Sequence, residues 1–237
     1  HAPWSNAYET MVYVGWATVL SGLVFARRSR LAPALAALMG GVALFVSNLN
    51  WLDPQITPLV PVLKSYWLMI HVSVVTASYG FFGICAACGI ASLAATAFGR
   101  NLRELRAINE MAMIVGLALL TAGIFFGAVW ANESWGRYWG WDPKETWALI
   151  TMFAYALATH SRHIPRLDGP FAFDVLSVVC FSTVLMTFFG VNYYLSGLHS
   201  YGHSGGVSLT VPLIGASVVI ALIAAAAGRY FKTSKKR

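Results

Sequence analysis

Residues 108–147 read INEMAMIVGLALLTAGIFFGAVWANESWGRYWGWDPKETW, an apolar run that ends in a cluster of tryptophans. The apolar part, 108–131, is long enough to cross a bilayer as a helix, which takes about 20 mainly apolar residues. The last thirteen residues, Trp135–Trp147, contain four tryptophans, one tyrosine, two glycines and four charged residues. Another apolar run follows them. The stretch therefore predicts two membrane helices joined by a loop that is rich in aromatic rings.

The composition of the whole chain supports a membrane protein. Of its 237 residues, 58% are hydrophobic and only 11% are charged, and the mean hydropathy is +0.65. Soluble domains carry about 25% charged residues, so a soluble enzyme or binding domain is excluded. The net charge of +7 would suit a nucleic-acid partner, but the distribution of the basic residues gives another explanation.

Seven segments are apolar and long enough to be membrane spans. They are residues 8–26, 31–48, 66–98, 108–131, 145–161, 172–195 and 208–230. We expect one all-α domain, 1–237, which forms a polytopic bundle of about seven transmembrane helices. Within it, residues 131–147 form an external loop that binds a ligand.

Lysine and arginine predict the orientation, because cytoplasmic loops carry an excess of them. Thirteen of the sixteen basic residues lie at one set of span ends, and only Lys64, Arg137 and Lys144 lie at the other. The N-terminus is therefore expected outside and the C-terminus in the cytoplasm. The aromatic loop and residues 196–208 then face the outside. The positive charge is a topology signal, and we expect no nucleic-acid partner.

Two of the three cysteines form a Cys-x-x-Cys pattern, Cys85 and Cys88. They lie within the apolar run from Trp67 to Phe98, and Gly89 follows them in place of a histidine. The pattern therefore matches neither a covalent haem attachment site nor a thioredoxin-like site. Small neighbouring residues favour a packing role between helices.

The aromatic loop is suited to a large planar ligand, and haem is the leading candidate. Tryptophan and tyrosine offer wide apolar faces with polar edges, and glycine permits close backbone approach. A membrane-interface belt of aromatic residues is the alternative, but a belt spreads over many span ends. The rings are those of Trp135, Tyr138, Trp139, Trp141 and Trp147, and the bases Arg137 and Lys144 are candidate partners for the haem propionates.

Two histidines are expected at the level of this loop. His71 follows the outer start of the third span closely enough to lie within ~10 Å of the surface, and His199 follows the sixth span. His203, four residues on in a Gly-rich stretch, is an alternative to His199. Imidazole is a common axial ligand of haem iron, and ionisable groups in spans are costly and tend to be functional. We therefore favour iron ligation by two external histidines.

His160 belongs to a different depth. It follows Asp142 by 18 residues, about 27 Å along a helix, and so cannot share a ligand with His71. Either it binds a second haem near the inner leaflet or it caps a helix end, and the residues leave both readings open. Asp142 and Glu145 have a structural reading too, as a capping box with Pro143 at the first helical position.

The string Trp135–Trp147 resembles the tryptophan-rich WWD motif of the CcsA (ResC) family of System II cytochrome c biogenesis, including the CcsA half of fused CcsBA proteins. The opening residues His1–Glu9 and the segment Gly197–Tyr201 are also similar to that family. The resemblance extends over essentially the whole chain, and the loop motif is its most specific part.

The resemblance implies a haem-handling component of a cytochrome c synthase (haem lyase) in the bacterial cytoplasmic membrane. It implies that haem b is presented outside to the Cys-x-x-Cys-His thiols of apocytochrome c, and that a CcsB (ResB) subunit or fused domain is the partner. The implied iron ligands are His71 and His199 outside and His160 within the membrane. The implied loop residues are Trp135, Arg137, Tyr138, Trp139, Trp141, Asp142 and Trp147. The alternative function is a haem transporter or chaperone without ligation activity.

Overall fold

The computed structural model describes residues 6–49, 52, 54, 64–195, 197 and 209–234, and within these residues the chain is helical and contains no strand. The helices in chain order are α1 (Ala7–Val24), α2 (Leu31–Ser47), α3 (Tyr66–Ala97), α4 (Arg103–Trp135), α5 (Pro143–Thr159), α6 (Pro170–Val179), α7 (Phe181–Leu185), α8 (Val191–Tyr194) and α9 (Thr210–Ser234). A π-helical turn, Met186–Gly190, joins α7 to α8, so 170–194 is one helical rod. Each of the seven predicted segments overlaps one helix or, for 172–195, the rod 170–194.

Four of the described helices, or continuous rods, are long and apolar enough to cross a membrane: Tyr66–Ala97, Arg103–Trp135, Pro170–Tyr194 and Thr210–Thr233. The helix Leu31–Ser47 is apolar but shorter. Large hydrophobic side chains such as Phe45, Phe98 and Ile220 lie on the surface, where a lipid environment suits them. The chain is therefore an all-α, polytopic membrane helix bundle, as the sequence predicted.

The fourth helix is longer than predicted. The sequence places its end near residue 131, but α4 continues to Trp135 and ends at Gly136, whose φ of 70° is left-handed. Polar residues 132–134 leave the apolar pattern without interrupting the helix, and glycine is the usual residue for a left-handed helix end. The predicted loop 131–147 is thus the end of α4, a non-helical stretch 136–142, and the start of α5.

Helix α3 lies at the centre of the bundle, in contact with α1, α2, α4, α6 and α9. Cys85 and Cys88 on this helix are free thiols with no exposed surface, which fits the packing role. Near the start of α4, Arg106 forms an ion pair with the buried Asp174 of α6, at 2.9 Å. The central helices are therefore held by both apolar contacts and buried polar ones.

Helices α3 and α4 approach closely at two glycines, Gly123 and Gly127, spaced four apart on α4. A Cβ atom on Gly123 would lie 2.5 Å from the side chain of Val75, and one on Gly127 would lie 2.6 Å from the ring of His71. Small residues at this spacing let membrane helices pack backbone to side chain. Just before α3, Ser65 donates a hydrogen bond to Glu133 in the last turn of α4 (2.6 Å). This packing sets the position of His71.

Candidate functional site

The imidazole of His71 is held between two helices, near the start of α3 and the end of α4. Its Nδ1 lies 2.7 Å from the carbonyl oxygen of Gly123. Because a carbonyl oxygen only accepts, Nδ1 must carry the proton, and the lone pair is then on Nε2. Histidines that bind metals through one nitrogen commonly donate the other N–H to such an acceptor, which fixes the ring orientation. The geometry of His71 therefore suits an Nε2 iron ligand.

A column of aromatic rings connects His71 with the start of the loop. The ring of His71 stacks on Trp130 with centroids 6.3 Å apart and an interplanar angle of 15°. Trp130, which is almost fully buried, meets Trp135 edge to face at 4.8 Å. One turn of α3 before His71, Trp67 stacks on Phe126 of α4 at 6.3 Å. His71 is thus embedded among flat apolar rings.

The non-helical stretch 136–142 has an unusual backbone. Gly136 has a φ of 70°, and Trp141 has a φ of 57°. For glycine this region is readily accessible, but for a bulky residue it is rare and costs about 1 to 3 kcal/mol. Such strain persists only where the surroundings hold it and tends to occur at functional sites. Trp141 is therefore a residue whose conformation requires support.

Of the five rings between Trp135 and Trp147, two are exposed and three are partly covered. Tyr138 is 62% exposed and Trp141 is 70% exposed. Trp139 is half-buried and meets Trp141 edge to face, with centroids 5.7 Å apart and an angle of 89°. Trp147 is half-buried within α5 and so lies outside the non-helical stretch. The exposed rings present apolar faces beyond the helix ends.

The start of α5 is built as the sequence predicted. Asp142 is the N-cap, Pro143 follows it, and Asp142 and Glu145 form a capping box. The carboxylate of Asp142 accepts from the backbone N–H of Lys144 at 3.0 Å. The structural reading of Asp142 and Glu145 is therefore confirmed, and Asp142 is buried at 7% exposure.

Arg137 lies over the loop itself. Its guanidinium is 5.9 Å from the ring centroid of Trp135 and 3.9 Å from Oε1 of Glu145. It also covers Gly140, where any side chain would overlap the guanidinium. A side chain at 140 would displace the guanidinium, so the present position of Arg137 depends on a glycine there. Arg137 thus has an internal role besides any contact with a ligand.

Lys144 connects the loop to the helical rod that precedes residue 195. Its ammonium donates a hydrogen bond to Oδ1 of Asn192 on α8, at 2.9 Å. Lys144 lies ahead of the apolar part of α5, outside the membrane-spanning segment. Burial lowers the pKa of Lys144 to about 8, while the nearby Asp142 carboxylate acts in the opposite direction. Near neutral pH the side chain is thus mostly a cation next to the loop.

Gly197 packs against the same helix start. A Cβ atom on this residue would overlap Oδ2 of Asp142 and lie 2.9 Å from Cδ of Pro143. Gly197 is therefore seated on Asp142 and Pro143, at the start of α5. His199 comes two residues later in the sequence, but His199, His203, His1 and Trp51 all lie outside the described residues.

His160 lies at the opposite end of α5 from the loop. It is the C-cap of that helix and is exposed, so it sits at the helix end, one residue beyond the helix itself. Its Nδ1 lies 2.8 Å from the carbonyl oxygen of Ala156, which again places the proton on Nδ1 and the lone pair on Nε2. In the described part of the chain no group of three or more His, Cys, Asp or Glu side chains forms a metal site.

The structure thus brings His71 against Trp130, which in turn contacts Trp135, and it brings Arg137 together with Trp135 and Glu145. Three residues of this surrounding were not predicted from the sequence: Gly123, Gly127 and Trp130. A signal for them was present in the sequence as Gly-x-x-x-Gly at 123–127, the spacing that lets a second helix approach closely. The pairing of that face with His71 required the tertiary structure.

Comparison with known proteins gives a consistent family. The family described as Cytochrome C assembly protein matches residues 4–199. Protein NrfI of Wolinella succinogenes is 50% identical over 209 residues, which cover 85% of this chain and 23% of NrfI. Two proteins named Cytochrome c biogenesis protein CcsA are 36% and 35% identical, from Chlamydomonas reinhardtii and Guillardia theta.

The coverage of these relatives differs. The chain spans about a quarter of NrfI, at 23%, and 61% of the Chlamydomonas protein. For the Guillardia protein the match covers 84% of this chain and 76% of the relative. Because the family match extends over most of the chain and this relative is matched over most of its length, the chain belongs to the cytochrome c assembly protein family.

Proposed function

We propose that this chain binds haem b at the outer ends of its helices and presents it for covalent attachment to apocytochrome c. The observation that carries the proposal is the seating of His71, whose Nδ1 donates to the Gly123 carbonyl beside Trp130 and Trp135. Family membership supports a role in cytochrome c biogenesis. The strained, exposed Trp141 supports a ligand at the loop.

The donor set suits haem. When Nδ1 carries the proton, Nε2 of His71 is the nitrogen with a lone pair, and we propose it as one iron ligand and His199 as the second. The rings of the loop would cover the porphyrin faces and exclude water, which tunes the iron. Lys144, a cation next to the loop, is the proposed partner of a propionate. We assign Arg137 the same role more weakly, because its guanidinium already contacts Glu145.

Haem supplies its vinyl groups, to which the two thiols of a Cys-x-x-Cys-His segment add, S–H across C=C, to give two thioethers. The residues of this chain bind and orient the haem for that reaction and limit solvent access. His71 stays in place because its ring is clamped between α3 and α4. The substrate's own histidine then replaces one of the axial ligands as the product leaves.

His160 is proposed as a ligand of a second haem position near the inner leaflet. Its Nδ1 donates to the Ala156 carbonyl, as the corresponding atom of His71 does to Gly123, and its side chain is exposed at the end of α5. An exposed single imidazole suits a site that is completed by another subunit. We propose that a CcsB (ResB) subunit or fused domain supplies the second ligand, in a bacterial cytoplasmic membrane with the aromatic loop outside.

Substitution of His71 tests the external site. We expect His71→Ala to weaken haem binding at least about tenfold, since altering only the surroundings of a ligand costs 10-fold or more. Exogenous imidazole should restore part of the bound haem. The measurement is the pyridine haemochrome content of the purified full chain. His163→Ala, an exposed histidine at the inner side, is the matched control, and equal haem content in both variants contradicts the assignment.

A second measurement separates ligation from transport. The full chain with its partner subunit is reconstituted with ferrous haem and reduced apocytochrome c. Thioether-linked haem, which stays on the cytochrome after denaturation, supports the synthase function. Haem binding that depends on His71 without any covalent product would instead identify a haem carrier, the alternative that the sequence already raised.

A further inference from the structure

The backbone N–H groups on both sides of Trp141 donate to one carboxylate oxygen. The N–H of Gly140 lies 2.7 Å from Oε2 of Glu145, and the N–H of Asp142 lies 3.2 Å from the same oxygen. Successive N–H groups around a left-handed residue form a concave nest that suits an anion. The contact with Asp142 belongs to the helix cap, but the contact with Gly140 reaches beyond it, across Trp141.

A second group completes this arrangement. The guanidinium of Arg137 lies 3.9 Å from the other carboxylate oxygen of Glu145 and rests on Gly140. The side chain of Glu145 is only 10% exposed, so its negative charge is partly shielded from water and gains from a nearby cation. We call these four parts, Glu145, Arg137 and the N–H groups of Gly140 and Asp142, the Glu145 latch.

We propose that Glu145 is a positioning residue of the haem site, which acts by holding Trp141 in its left-handed conformation. In that conformation the indole is 70% exposed and meets Trp139 edge to face. Without the latch, Trp141 would relax toward a negative φ, which L residues prefer, and the indole would turn away. The consequence for haem rests on the proposed function, whereas the latch itself exists without haem.

The first test therefore uses the haem-free full chain. Trypsin cleaves after Arg137, and we expect Glu145→Ala to raise the rate of that cleavage about tenfold, the effect of losing a hydrogen bond to a charged group. Glu145→Gln keeps an acceptor oxygen for both N–H groups, so its cleavage rate should be close to that of the parent protein. Glu104→Ala, which removes an exposed carboxylate in the first turn of α4, is the control.

A double-substitution cycle separates the latch from the helix cap. Trp141→Gly allows a positive φ without support, so adding Glu145→Ala to it should change the cleavage rate much less than in the parent. If Glu145→Ala has the same effect in both backgrounds, Glu145 acts only as a cap and the proposal is wrong.

The final readout concerns the indole and the haem. The protein is labelled with 5-fluorotryptophan, and the ¹⁹F resonance of Trp141 is assigned by its loss in Trp141→Phe. We expect this resonance to move in haem-free Glu145→Ala and to return in Glu145→Gln, with haem content following the same order.

An unmoved resonance overturns the latch. A moved resonance with unchanged haem content, in a protein whose His71→Ala variant loses haem, overturns the positioning role alone. If His71→Ala keeps its haem, the proposed function has failed, and the resonance still decides the latch.

Discussion

At the scale of single residues, the proposed site depends on the ring of His71, which packs against two glycines of α4. His71 donates from Nδ1 to the Gly123 carbonyl, and its ring occupies the space that a side chain on residue 127 would need. The tautomer and the orientation of the imidazole are therefore set by backbone atoms of the neighbouring helix. A substitution on α4 should therefore change haem binding even though His71 itself is unchanged.

Gly127→Ala tests this seating. The new Cβ would lie 2.6 Å from Cε1 and 2.7 Å from Nδ1 of His71, so the ring must shift and its hydrogen bond to Gly123 weakens. We expect haem affinity to fall about 10-fold or more, as for other groups that orient a ligand. Haem titration of the purified protein is the measurement.

The control for helix propensity is Gly41→Ala on α2, where nothing lies within 4 Å of the added atom. Gly116→Ala, which meets Phe82 of α3 and not the histidine ring, controls for the packing of α3 on α4. Normal haem affinity in Gly127→Ala, with a stability as low as that of Gly116→Ala, would show that the seat of His71 matters for packing only.

At the scale of elements, the first turn of α5 joins the aromatic loop to the end of the sixth rod. Lys144 bonds to Asn192 on α8, and Asp142 lies against Gly197. The π-helical turn Met186–Gly190 precedes α8, and such turns are frequent at functional sites. The loop and the chain toward His199 are therefore anchored on the same four residues, 142–145.

Gly197→Ala should disturb this junction. The added methyl group would overlap Oδ2 of Asp142, so we expect the N-cap to move, at a loss of about 1 kcal/mol in unfolding free energy. Because His199 follows two residues later, haem content should fall as well. Thermal unfolding in detergent and haemochrome content are the measurements. Gly215→Ala, where the added atom meets nothing within 4 Å, should change neither, and an unchanged Gly197→Ala would refute the anchoring role.

At the scale of the whole molecule, the proposed function requires that the aromatic loop and His160 lie on opposite sides of the membrane. Helix α5 separates them, with Asp142 at its start and His160 at its end. The basic residues accumulate at the His160 side, which the positive-inside rule places in the cytoplasm. The proposed path of haem from an inner to an outer position depends on this orientation.

Thiol labelling of intact cells tests the orientation. The native cysteines are at most 5% exposed, so they give a low background. We expect Tyr138→Cys, at an exposed loop position, to react with a membrane-impermeant maleimide added outside. Arg166→Cys, exposed beyond the other end of α5, should react only after permeabilisation. The reverse pattern would invert the topology and place the aromatic loop in the cytoplasm.

The sequence predicted seven helical segments, because runs of apolar residues in lipid must satisfy their backbone groups as helices. Their limits agree with the structure to within five residues. It also indicated the capped start of α5 at Asp142 and Pro143, since capping is a local interaction. The end of α4 was missed by four residues because a polar turn at a helix end carries no hydrophobic pattern.

Only the tertiary structure decided which groups meet. Segments that are distant in the chain create the seat of His71 on Gly127 and the burial of Trp130. The left-handed Trp141 held by Glu145 lies in a loop without periodicity. Helix propensity and hydrophobic pattern describe each segment alone, whereas the proton position on a histidine and the conformation of a loop depend on the atoms that another segment brings against them.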